Sequence, residues 1–213
     1  MAERLPIDPT QPEPERIAQV CAVLQAHGVV GLPTDTVYGL AANPWDLAAV
    51  EQVYRAKGRA HDKALLLLVA GIAQVEELAG RLDPLFYKLA AAFWPGPLTL
   101  IVEAGARLPL KVTAQTGHVA LRQPLAPIAM AVIRAAGHPL TATSANRSGE
   151  PECLSAFEVE RQLGEHLSLI VDGGPAASPL LSSLVDLTCQ PPRLLREGAI
   201  AATALQPFLA GVC

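Results

Sequence analysis

Apolar positions along this chain keep two periods, and the chain alternates between them. From Pro14 onward, Ile17, Val20, Cys21 and Leu24 fall at i, i+3, i+4 and i+7, the spacing of one helix face, with Gly28 as the expected stop. Behind Asp46, a residue able to cap a first turn, Leu47, Val50, Val53 and Tyr54 predict a second helix that ends near Lys57. Asp83-Pro84 opens a third with Leu85, Leu89 and Phe93 on its stripe, and Ile128, Val132 and Ile133 mark a fourth that Gly137 and Pro139 end. Ser155 and Glu158 make a capping box ahead of Val159 and Leu163. Between these lie short runs that predict strands: VVGLP (29–33), ALLLLVA (64–70), LTLIVEA (98–104), VALRQ (119–123), the start of LTATSAN (140–146), LIVDGG (169–174), SLVDL (183–187) and RLLRE (193–197). Residues 1–13, with Pro6, Pro9 and Pro12, are expected to form a loose arm, and 201–213 a short helix and tail.

Strands and helices interleave with no linker and no internal repeat, and the late strands follow one another without long helices. The expectation is one α/β domain over 14–200, a twisted mixed parallel and antiparallel sheet flanked by helices. Composition agrees: 51% hydrophobic residues in a chain of 213 supply ample material for one core. The longest apolar run, ALLLLVAGIA (64–73), falls short of the ~18 to 20 residues that cross a bilayer. MAERLPIDPT lacks the features of a signal peptide, so a cytoplasmic protein without a membrane partner is expected. Cys21, Cys153, Cys189 and Cys213 are scattered and no histidine falls in a ligand pattern, so no metal site is expected. A net charge of −4 argues against general attraction to nucleic acid, while a local basic groove stays open.

Four polar stretches interrupt this frame. LPTDTVYGL (32–40) offers two hydroxyls and a carboxylate, which suit either a self-bonded turn or a ligand. KGRAHDK (57–63) holds two of the chain's four lysines plus Arg59. Lys57 is accounted for by the helix dipole alone, whereas Arg59 and Lys63 lie beyond the helix and suit a phosphate. FWPGPLT (93–99) is a rigid turn in which Thr99 is the one side chain fit to address a ligand by hydrogen bonding. TATSANRSG (141–149) clusters Thr141, Thr143, Ser144, Asn146 and Ser148, as a Ser/Asn turn or as groups for phosphate or ribose oxygens. Neither a Walker A loop nor GxGxxG occurs, so a nucleotide here would need another cradle.

The ordered set PTDTVYGL, KGRAHDK, WPGPLTL, VALRQP, TSANRSGEP, VDGG, SSLVD and LLREGA resembles the YrdC-like family, from about residue 14 to 200. The resemblance is to its short, single-domain members that form threonylcarbamoyl-AMP. It implies a nucleotidyltransferase that joins L-threonine, bicarbonate and ATP, with Mg²⁺ carried on the nucleotide, and releases pyrophosphate. Thr34, Thr36, Arg122 and Ser182 would then hold threonine. Lys57, Arg59, Lys63, Thr99, Thr143, Ser144, Asn146 and Arg196 would hold ATP, with Lys57, Arg59 and Ser144 at the reacting atoms. The product would pass to a tRNA threonylcarbamoyl transferase complex. The alternative is a module of this fold that binds structured RNA or tRNA without chemistry. Three positions depart from the family's habit: Ala64 where Pro is common, Arg147 where an apolar residue is frequent, and Ser183 where Thr is frequent.

Overall fold

The computed structural model describes residues 2–209. In chain order the elements are β1 (Glu3–Pro6), α1 (Pro14–Gln25), β2 (Val30–Leu32), β3 (Gly39–Ala41), α2 (Leu47–Lys57), β4 (Leu66–Leu68), α3 (Ile72–Leu78), α4 (Pro84–Phe93), β5 (Leu98–Glu103) and α5 (Leu110–Thr113). There follow β6 (His118–Arg122), α6 (Pro127–Ala136), β7 (Leu140–Thr141), β8 (Thr143–Ser144), α7 (Ala156–Leu163), β9 (Leu169–Asp172), β10 (Ser183–Asp186), β11 (Arg193–Arg196) and α8 (Ala202–Leu209). The helices start where chemistry puts a cap. Asp46 Oδ1 accepts from the amides of Ala48 and Ala49, Asp83 Oδ1 from that of Leu85, and Ser155 Oγ from that of Glu158. At the far end of α2, Gly58 takes a left-handed conformation (φ 59°), which ends the helix and turns the chain between Lys57 and Arg59.

The strands make two mixed sheets in place of the single one expected. One runs β1-β9-β2-β3-β8 and the other β11-β10-β5-β6-β4-β7. Residues 140–144 belong to both: β7 pairs antiparallel with β4, and β8 pairs antiparallel with β3. The switch takes one residue. Thr141 N–H still donates to Ala42 O while Ala142 N–H donates to Leu66 O, so the backbone itself stitches the sheets along a seam.

Apolar side chains occupy both sides of this seam. Helices α1 and α6 close one face with Ile17, Val20, Leu24, Ile128, Val132 and Ile133 over Val30, Leu32 and Leu68. A larger cluster holds Tyr38, Tyr54, Phe86, Leu89, Leu98, Leu100 and Leu121, contributed by α2, α4 and both sheets. Each such buried side chain contributes about 1.5–3 kcal/mol. The N-terminal arm is not loose between residues 3 and 6. It forms β1, parallel to β9 from Glu3 opposite Leu169 to Pro6 opposite Asp172. A strand four residues long with Leu5 as its one buried position carries too little pattern to be seen in sequence. Helices α3 and α5 and strand β3 were not anticipated either, and α1 ends at Gln25, ahead of Gly28.

Candidate active site

Turns and strand ends from both sheets open onto a cavity of about 200 Å³ at the seam. The turn between β2 and β3 brings Thr34 and Thr36, and β8 brings Thr143 and Ser144. From the other sheet come Thr99 on β5, Arg122 at the end of β6, Ser182 just before β10 and Arg196 at the end of β11. Arg59 reaches in from the loop after α2, and Leu66, Leu68, Ala120, Ala142 and Leu184 supply apolar wall. Of the residues expected at the site, all but Lys57, Lys63 and Asn146 line this cavity.

Arg122 is buried and forms an ion pair through Nη2 with Asp35 Oδ1, while its Nη1 donates to Thr36 Oγ1 at 3.0 Å. The sequence offers the Asp35 carboxylate to its own turn or to a ligand, and the structure gives it to Arg122. That carboxylate compensates the one arginine whose side chain is 3% exposed. Burial pushes the Arg122 pKa down from the usual arginine value and Asp35 pushes it back up. Arg122 Nε and Asp35 Oδ2 are buried without a protein partner. A buried polar atom in that state gains from any ligand that can meet it.

The hydroxyls are ordered among themselves. Thr34 Oγ1 donates to Val37 O (2.7 Å) and accepts from Thr36 N (3.1 Å), a self-bonded turn of the kind Thr favours. On the other side Thr99 Oγ1 and Ser182 Oγ lie 2.7 Å apart, and Arg196 donates to Ser182 O (3.0 Å) and Oγ (3.3 Å). Arg59 curls its own loop by donating from Nε to Lys63 O and from Nη2 to Ala64 O, with Nη1 left over. Burial lowers the pKa of Arg59 and of Arg196 from the arginine value.

The other three expected residues, Lys57, Lys63 and Asn146, lie outside the lining of this cavity. Lys63 is exposed and outside the cavity; its carbonyl, not its ammonium, does local work by accepting from Tyr54. Lys57 points inward from the last turn of α2 and is buried behind the wall. Its ammonium donates to Ser144 O, to Asn146 O (2.7 Å) and to Asn146 Oδ1 (3.1 Å). Burial, with the charge of Arg59 adding to it, holds the Lys57 pKa down to about 8. Asn146 in turn donates from Nδ2 to Arg147 O and Glu150 O. Type and spacing identified the right loops, but whether a side chain faces the hollow or the wall is decided by the helix exit at Gly58.

The departures noted in the sequence resolve similarly. Arg147 donates from Nε to Gln162 O on α7, away from the cavity, so it adds no charge there. Ser183 Oγ accepts from Gly198 N and Ile200 N and donates to Ile200 O, a hydroxyl task that Thr shares. Ala64 lines the cavity beside the Arg59 contact.

Comparison with known proteins places these observations. Residues 22–198 match the family model for Sua5, YciO and YrdC, described as "telomere recombination". The chain is 40% identical over 91% of its length to the threonylcarbamoyl-AMP synthase of Bacillus subtilis, of which it covers 56%. It is 36% identical to a putative threonylcarbamoyl-AMP synthase of Mycobacterium tuberculosis, covering 91% of this chain and 88% of that one. Its fold superposes along its whole length on Pyrococcus abyssi Sua5 in complex with L-threonine, with TM-score 0.93 and 33% identity, covering 62% of that chain. The chain thus spans little more than half the length of the first curated relatives it matches.

Proposed function

The chain belongs to the Sua5, YciO and YrdC family, and from that premise we propose that it forms threonylcarbamoyl-AMP and pyrophosphate from L-threonine, bicarbonate and ATP. One observation carries the reading: a single cavity joins a carboxylate-paired arginine and hydroxyls on one wall to two further arginines on the others. All three substrates are anionic at some atom, so mutual repulsion is the first barrier to bringing them together. Arg122, with its uncommitted Nε, suits the carboxylate of threonine, and Thr34, Thr36 and Ser182 surround that end. Arg59 and Arg196 suit the triphosphate, with Thr99 and Thr143 beside them. The hollow is smaller than the ~300–1,000 Å³ of pockets that engulf whole drug-sized ligands. It therefore takes the reacting groups, and the base and ribose lie toward its open side.

In the reaction the threonine amine attacks the bicarbonate carbon, water leaves, and a carbamate oxygen attacks the α-phosphorus of ATP with departure of pyrophosphate. Mg²⁺ enters on the phosphates as part of the nucleotide substrate. The chain's own contribution is to place charge where charge develops, the main lever in such transfers, at a factor of ~10² to 10³ in rate per contact. Its apolar wall keeps water from a carbamate that decomposes readily when hydrated. Delivery of the product to a tRNA-modifying transferase in the cytoplasm completes the proposal. Among the described residues no helix is long and apolar enough to cross a membrane. The test is pyrophosphate release by the purified protein, with each substrate omitted in turn. Release should require all three; release without threonine or bicarbonate, or none with all present, would remove the activity.

A further inference from the structure

The loop that carries Arg59 to the cavity is held from behind by few contacts. Residues 58–65 join α2 to β4 without a helix or strand of their own. Backbone bonds fix the two ends, Arg59 N donating to Tyr54 O and Leu65 N to Val112 O, at 2.9 Å each. Between these ends, among the described residues, hydrogen bonds from 60–64 to the body of the protein run through one side chain, Tyr54. Its phenol oxygen lies 3.0 Å from Lys63 O and 3.1 Å from Lys111 O, two acceptors that share its one proton. Lys63 O also accepts from Arg59 Nε at 3.2 Å, so the carbonyl that Tyr54 pins is one that aims the guanidinium. The His61 ring, exposed to solvent, stacks on Tyr54 with centroids 4.7 Å apart and planes at 30°.

We propose that Tyr54 and His61 are positioning residues, a latch behind the loop that keeps Arg59 aimed at the triphosphate. The proposal rests on the activity inferred above and adds to it the means by which Arg59 is preorganised. An arginine on an unrestrained loop would spend part of its time away from the cavity, and apparent nucleotide affinity falls by that fraction. Tyr54 is buried on α2 and so offers a rigid hold. What His61 supplies is the stack and not a charge. Its Nε2 stands 3.9 Å from Glu51 Oε1, which already accepts from Arg55 Nε at 3.0 Å. An exposed contact at that distance contributes little. Glu51 Oε2 meets Lys111 Nζ at 2.6 Å and ties α5 to α2, so the second carbonyl that Tyr54 meets is fixed as well.

Calorimetry with a non-hydrolysable ATP analogue and with L-threonine tests this. For Tyr54→Phe, which keeps the ring and loses only the phenol oxygen, nucleotide affinity should fall about fivefold. Threonine affinity should stay within about twofold, because Arg122 and its partners lie on other elements. His61→Ala should lower nucleotide affinity about threefold, and His61→Phe, which restores a stacking ring without the charge, should recover it. In an Arg59→Ala protein, adding Tyr54→Phe should bring no further loss. Unchanged nucleotide affinity in Tyr54→Phe, an equal loss for both ligands, no recovery in His61→Phe, or effects that multiply with Arg59→Ala would overturn the latch. Hydrogen exchange of amides 58–65 reads the same loop without any ligand. It should run several-fold faster in Tyr54→Phe and in His61→Ala than in the unmodified protein, and equal rates would overturn the proposal. An unmodified protein that binds no nucleotide removes the proposed activity, while the exchange rates still decide the latch.

Discussion

Lys57 shows how far one buried side chain reaches. Held to about 8, against 10.5 for a free lysine, it lacks over that interval a proton that the unfolded chain carries. The unfolded state then binds more protons, so stability rises with pH between about 8 and 10.5, and the full cost of burying the charge is present below 8. The shift corresponds to about 3 kcal/mol at most. Denaturation in urea should therefore show the unmodified protein gaining on Lys57→Met as pH rises through that window, with other titrating groups cancelling in the difference. Parallel curves would mean that Lys57 titrates normally. Residue chemistry was legible in the sequence as far as type and loop: Thr34, Thr36, Arg59, Thr99, Arg122, Thr143, Ser144, Ser182 and Arg196 were all named and all meet. Sequence leaves the direction of Lys57 open, because a lysine at a helix end has two outlets, water or the interior. Only the chain path past Gly58, which lays 144–146 over the end of α2, selects the second.

At the scale of elements, the helices were legible because their caps and their periods agree. Asp46, Asp83 and Ser155 all cap as their positions suggested. The reciprocal half of the Ser155 box is displaced: Glu158 accepts from Leu154 N, one residue earlier than a capping box requires. Strands of two or three residues escape such reading. Strand β8 meets β3 across a hundred residues of chain, and nothing local in TATSAN records that pairing. Helix α2 links the two levels, since Asp46 starts it and Lys57, which secures β8, ends it. Replacing Asp46 by Ala removes two capping bonds and should cost about 1 kcal/mol in thermal or urea unfolding. Because Lys57 stays buried by the core side of α2, pyrophosphate release at a temperature well below the melt should keep within about twofold. An activity loss far larger than the stability loss would place the N-terminal end of α2 in the catalytic work.

For the molecule as a whole, the seam between two sheets is what the sequence reading lacked. A single mixed sheet and a pair joined by a one-residue step at Ala142 have the same strands in the same order along the chain. The difference matters, because the seam is where loops from both sheets face one another, and a flat sheet would spread them along an edge. Net charge is −4, yet the seam gathers Arg59, Arg122 and Arg196, with Asp35 paired to Arg122 and the charges of Asp62 and Glu152 acting on Arg59 and Arg196, so the field in the cavity is set by topology and not by composition. The claim on which all else depends is that this hollow receives the amino acid and the phosphates together. A crystal structure with L-threonine and a non-hydrolysable ATP analogue tests it most directly. The expected result is threonine with its carboxylate at Arg122, and the triphosphate running past Arg59 and Arg196 to the open side. Nucleotide bound on another face, with the seam left to threonine alone or empty, would contradict the account.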